Sequence, residues 1–232
     1  TIFNHRIEQN RLIDLLEEFG FVLHGIKNSS SGEEHVYVRN FQKIADPDNP
    51  LKTFPYVSRE NKVFIVPIYP EYHTELLPDS ILRTESPQHF EEPLPHRNAI
   101  RKSYISHSWE RNINTGDIIV FYRTGGRYKG VATSVGIVEK VHDEICTLKE
   151  LQEITRKRTV LSKDELYSFW NRYPDNKPFV VDFLYAHSFP KRPNLNRLIE
   201  LRVIKDIDNM PRGFREIEIK DFNQLLNFVY NS

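Results

Sequence analysis

Between Arg6 and Phe19 the apolar residues Ile7, Leu12, Ile13, Leu15, Leu16 and Phe19 recur at helical spacing, and Gly20 stands where a C-terminal cap belongs. The pattern predicts a helix that ends at Gly20. FVLHGIK then predicts a strand, KNSSSGEE supplies turn residues, and the alternation in HVYVRNF predicts a second strand, so the pair reads as a hairpin. A helix with one two-stranded ribbon has no second layer over its apolar face. Residues 1–42 are therefore expected to dock on the rest of the chain or on a second copy of themselves.

Residues 43–59 read as a linker, with Pro47, Pro50 and Pro55 set among Asp, Asn and Lys. KVFIVPIY follows as a strand broken by Pro67, a residue expected at a sheet edge or bulge. Further prolines from Pro70 to Pro95 punctuate short segments, and HRNAIRKSYIS predicts a helix-to-strand unit. INTGDIIVFYRT is the clearest strand, and GVATSVGIVEKVHDE is its antiparallel partner across a Gly-Gly hairpin loop. Capping boxes at Thr147 with Glu150 and at Ser162 with Glu165 open two helices, which run roughly to Lys157 and to Asn171. KPFVVDFLYAHSFPK is another strand, NLNRLIELR a short helix, and DFNQLLNFVY a last helix with Asp221 as N-cap. From residue 60 to 232 this order fits an α+β domain built on a small curved antiparallel sheet or barrel with inserted helices.

At 232 residues the chain has room for one large domain and an appendage, not for two enzyme domains. A mean hydropathy of −0.54 and the lack of a long apolar run exclude a membrane-spanning helix. Lys and Arg number 32, as do Asp and Glu, so any nucleic-acid function must rest on a local basic face and not on overall charge. The single cysteine, Cys146, excludes an internal disulfide and a multi-cysteine zinc site. With no signal peptide in sight, it points to a reducing, cytoplasmic setting. The start, which lacks a Met and runs at once into a helix, points to a fragment.

Neither G-x-S-x-G, H-E-x-x-H, a Walker loop, C-x-x-C nor G-x-G-x-x-G occurs. The nine histidines are scattered, Cys146 reads as a partly buried small residue, and Glu33–Glu34 and Glu91–Glu92 read as solvated. No catalytic residue and no metal are expected.

HRNAIRKSYISHSWERN is different, because it gathers Arg97, Arg101, Lys102 and Arg111 with His96, Tyr104, His107 and Trp109 against one acid, Glu110. Such a patch can hold phosphate while rings stack on bases; the plain alternative is a core of Ile100, Tyr104 and Trp109 with solvated cations. FYRTGGRYKG adds Tyr122, Arg123, Arg127, Tyr128 and Lys129 on a flexible loop, with an ordinary surface hairpin as its alternative. The run Arg156, Lys157, Arg158 reads as a helix terminus favouring cations. A concave site is expected, bounded by Arg97, Arg101, Lys102 and Tyr104 on one side and by Tyr122, Arg123 and Lys129 on the other, with Ser106, His107 and Tyr128 as further ligand contacts.

RLIDLLEEFGFVLHGIKNSSSGEEHVYVRNF resembles the C-terminal end of a GNAT-type N-acetyltransferase, in which a helix leads through Gly-Phe into two final strands. The resemblance implies that acetyl-CoA belongs to a longer protein, its pyrophosphate loop lying upstream, and that this chain alone holds no cofactor. AIRKSYIS and INTGDIIVFYRTGGRYKGVATSVGIVEKV resemble the PUA-like superfamily, which includes ASCH and EVE domains. That resemblance implies a small curved barrel decorated with helices, binding RNA or modified DNA bases in a pocket lined by AIRKSYIS and the Gly-Asp strand. The chain is thus expected to be a nucleic-acid or modified-nucleotide reader within a larger acetyltransferase-containing protein. The alternatives are an acetyltransferase part that selects or supports the substrate, and a protein-interaction domain.

Overall fold

The computed structural model describes residues 2–4, 10–30, 32–41, 45–82 and 94–231, giving only the backbone of 2–4, 127 and 128. Near the N-terminus β1 (Ile2–Asn4), α1 (Asn10–Glu18), β2 (Val22–Ser29) and β3 (Gly32–Val38) make a three-stranded antiparallel sheet in the order β1-β3-β2. The remaining elements are α2 (Pro50–Thr53), β4 (Val63–Ile68), α3 (Pro70–Leu76), α4 (Pro95–Asn98), β5 (Arg101–Ser106), β6 (Ile118–Arg123), α5 (Gly126–Lys129), β7 (Val131–His142), α6 (Leu148–Ile154), α7 (Lys163–Asn171), β8 (Phe179–Ser188), α8 (Leu195–Glu200), β9 (Arg215–Ile217) and α9 (Ile219–Tyr230). Their six strands form one sheet in the order β5-β8-β7-β6-β4-β9.

Strand alternation divides the core in two. Val63, Ile65, Ile118, Val120 and Ala132 face α8 and α9, where Leu195, Leu198, Phe222 and Leu225 cover them. Phe64, Val66, Phe121, Val138 and Phe183 face the other way. On that side the sheet curls until its ends meet: the Tyr104 ring of β5 packs on Phe121 at 6.1 Å and on Phe214 at 5.7 Å, and its hydroxyl donates to the Pro67 carbonyl of β4. This second face is the concave side of a half-barrel.

Several expectations are corrected. The strands are not all antiparallel, since β4 and β6 run parallel over Val63–Ile68. The strand with Pro67 is internal, between β6 and β9; β9 pairs only with Val63–Ile65, so Pro67 lies beyond the shared ladder and no partner needs its missing N–H. The Gly-Gly loop is the short helix α5, not a tight hairpin. Glu218, not Asp221, is the N-cap of α9, and Asp221 is buried in its first turn. Within the expected linker, Leu51 of α2 is buried against Ile137 and Leu184, because an apolar side chain beside an open patch of sheet gains more by burial than by exposure.

The N-terminal unit meets the main sheet at one end of α1. Phe19 packs T-shaped on Phe54 at 6.2 Å, Glu18 accepts from Arg101, and Arg39 donates to the Phe54 carbonyl. Gly20 has φ +75°, and a Cβ there would lie 2.4 Å from the Lys52 carbonyl oxygen, so the turn and the contact both require glycine. Leu12 and Leu15 are exposed, with no described residue of the chain covering them.

Candidate functional site

The concave face is apolar along most of its length and turns polar at one end, where β4 and β6 finish and β5 begins. Lys102, two residues before Tyr104, and Arg123, two beyond Phe121, both point into it. Two bulges add hydroxyl groups. The β6–β7 ladder skips Thr133, leaving the hydroxyls of Thr133 and Ser134 3.2 Å apart, and the β7–β8 ladder skips Ala186, so that Tyr185 and Ser188 both bond Ser80 Oγ at 3.0 Å. α3 lays His73 across the end, its Nε2 2.9 Å from Thr133 Oγ1.

The electrostatics follow from burial. His73 is fully buried, and desolvation, aided by the fields of Arg123 and Arg192, lowers its pKa to about 3, so the ring is neutral at pH 7. Its Nδ1 is buried with no hydrogen-bond partner among the described residues. Lys102 is 1% exposed. Its Nζ donates to the carbonyls of His96 at 2.5 Å and Arg97 at 3.0 Å, while Asp79 acts on it through space, and burial lowers its pKa to about 8. The ammonium thus sits inside the protein with no carboxylate in hydrogen-bond reach among the described residues.

The expected site residues separate into groups. Lys102 and Arg123 do come to the same end of the concave face, and Lys129 is exposed at the end of α5 nearby in sequence. Arg97 is held by Glu75, with Nε and Nη2 at 2.9 and 2.6 Å, and Arg101 is held by Glu139 and Glu18. Both are therefore satisfied ion pairs and not open phosphate ligands. Tyr104 is a clasp between sheet ends instead of a stacking platform; burial raises its pKa, and its hydroxyl is committed to Pro67. Tyr122 points to the opposite face, into the core under α8, where Gly130 leaves just enough room for its hydroxyl. It cannot share a mouth with Arg123, its neighbour on the strand. The Tyr128 side chain lies outside the described residues.

Ser106 and His107 belong elsewhere. They line an open cleft of about 1950 Å³ that runs along the outer edge of β5 between α3, α7 and the 208–215 loop. His107 lies between Phe169, 4.3 Å away, and Tyr173, 4.9 Å away, and burial lowers its pKa to about 4. Sequence reading missed His73, Thr133, Ser134, Tyr185 and Ser188. The one available signal was Thr-Ser within an otherwise apolar strand.

Among the described residues no group of His, Cys, Asp and Glu is placed to hold a metal ion, and no helix is long and apolar enough to cross a membrane. No protein-family model and no curated protein sequence matches the chain. Among solved structures, human THYN1 protein in complex with 5-methylcytosine-containing DNA aligns with 74% of this chain and 99% of its own, at 11% identity and a TM-score of 0.40. ASCH from Zymomonas mobilis aligns with 73% of this chain and 96% of its own, at 12% identity and a TM-score of 0.51. The curled sheet with its inserted helices is the PUA-like ASCH fold.

Proposed function

We propose that the chain is a nucleic-acid recognition module that holds one nucleotide at the polar end of its concave face. The observation that carries this reading is Lys102, an ammonium 1% exposed whose hydrogen bonds among the described residues go to two backbone carbonyls, with the Tyr185 ring 5.9 Å away. Burying a charge costs several kcal/mol unless it is matched. A phosphate or an electron-rich base edge reaching Lys102 and Arg123 supplies the match. The neutral His73 and the hydroxyls of Ser80, Ser134, Tyr185 and Ser188 offer donors and acceptors suited to a base edge. The PUA-like fold, through the family resemblance, adds weight to RNA or a modified base as the ligand.

Fluorescence anisotropy with short RNA, single-stranded DNA and duplex DNA carrying a modified base, each at two salt concentrations, tests the reading. Binding to at least one is expected, and Lys102→Met should weaken it and lower the salt slope by about one. Failure of all three to bind at low salt overturns it. We further propose that residues 1–42 are the closing helix and strands of an acetyltransferase domain belonging to a longer protein, with the PUA-like part as its reader. The support is α1 followed by Gly20-Phe21 and the β2–β3 hairpin.

A further inference from the structure

The cleft outside β5 is chemically unlike the polar end. Among the described residues it is lined by six carboxylates, Glu71, Glu110, Asp164, Glu165, Asp175 and Asp208, against three guanidiniums, those of Arg172, Arg212 and Arg215. Its only histidine among the described residues, His107, stays neutral at pH 7. A polyphosphate strand would be repelled here. The rim carries rings held out in water: Trp109 is 81% exposed, Tyr69 60% and Tyr173 49%. Indole and phenol faces beside carboxylates attract ammonium and guanidinium groups through both Coulomb and cation–π forces.

The floor of the cleft supplies a second, independent feature. Residues 103–108 line it in succession, along the edge of a strand whose other side is paired with β8. The Ser103 N–H points away from β8 and bonds the Arg158 carbonyl. By the two-residue period the N–H and C=O of Ile105 also point outward, and no described residue bonds them. An edge left open at Ile105, beside the bonded Ser103, on the floor of a groove is where the backbone of an extended peptide can pair.

We infer that this cleft binds an extended, basic peptide segment of a partner protein, its backbone along β5 at Ile105 and its Lys or Arg side chains among Trp109, Tyr69 and the carboxylates of the rim. The cleft reaches Tyr104, Pro67 and Thr124 beside the nucleotide site, but Lys102, Arg123 and His73 do not line it, so either reading can fail without the other.

The test uses the full chain and a short fluorescein-labelled peptide of alternating Lys and Thr, with a Glu–Thr peptide and a labelled oligothymidylate as comparisons. The Lys peptide should bind at least roughly tenfold tighter than the Glu peptide and quench Trp109 fluorescence. Trp109→Ala, at a position already in solvent, and the loop reversals Asp175→Lys and Asp208→Lys should each weaken it about fivefold or more with no change in melting temperature. Equal affinity for the two peptides overturns the proposal. So does Lys-peptide binding unmoved by all three variants, which places it on another face. Oligothymidylate binding that is lost in Trp109→Ala also overturns it, by making the cleft a nucleic-acid groove.

Discussion

A lysine withdrawn from water leaves two measurable traces. Because the folded pKa of Lys102, about 8, lies below the unfolded 10.5, its buried charge costs stability below pH 8, and the cost is relieved as pH rises from about 8 towards 10.5. Lys102→Met is therefore expected to raise the urea midpoint at pH 7 by the equivalent of about 1–2 kcal/mol, with the gain gone at pH 10. Nucleotide binding should have the opposite dependence, strong below pH 8 and fading above it, readable as anisotropy at pH 7 and pH 9. His73 acts at the acid end. Its folded pKa of about 3 lies below the unfolded 6.5, so stability falls as pH drops from about 6.5 towards 3, by up to about 1.4 kcal/mol per pH unit. Urea midpoints between pH 7 and pH 4.5 should flatten in His73→Asn. Lys102 and Arg123 were legible in the sequence as cations on candidate strands. The neutralisation of Arg97 and Arg101 was not, because Glu75 and Glu139 reach them from elements distant in the chain.

The two insertion helices begin alike in sequence and differently in space. Ser162 and Glu165 complete a reciprocal box at α7, and Glu165 also accepts from Tyr72 at 3.1 Å. At α6 the Thr147 side chain caps Glu150 N–H, but the Glu150 carboxylate bonds Cys146 N–H instead of returning to Thr147. Glu165→Ala, which loses both the box and the link to α3, should cost about 1–2 kcal/mol by thermal melting, and Thr147→Ala about 0.5–1 kcal/mol. Strands, helices and caps of this kind were readable because periodicity and cap chemistry are local. The bulges at Thr133 and Ala186 were not, since a bulge is a mismatch between two strands and one strand alone carries no record of it. The same holds for Pro67, whose tolerance depends on how far β9 extends. Deleting Thr133 should erase the bulge, leave Phe121 opposite Ser134 and Tyr122 opposite Ala132, remove the hydroxyl that meets His73 and weaken nucleotide binding, while a circular dichroism spectrum still shows the sheet.

Zero net charge for the whole molecule conceals two surfaces of opposite character, a cationic interior end and an acidic cleft, and composition alone could not separate them. The N-terminal unit touches the main sheet through Phe19, Glu18 and Arg39, a contact small enough that a chain starting at residue 45 is expected to unfold in a single cooperative transition. Gly20→Ala, which meets the Lys52 carbonyl, should loosen that contact and increase protease cutting after the α1 region without lowering the main transition by more than about 1 kcal/mol. The Tyr104 clasp reaches further. Lys102 stands two residues before it at one site and Ser106 two residues after it at the other, on a strand short enough to move as one rod. A peptide that shifts β5 sideways pulls on the hydroxyl bound to Pro67, and with it on the distance between Lys102 and Arg123 across the mouth of the half-barrel. If both sites bind as proposed, occupancy of one should alter affinity at the other by the same factor in both directions. Titrating each ligand in the presence of the other should reveal this reciprocity, and Tyr104→Phe, by releasing the catch, should make the two sites deaf to one another.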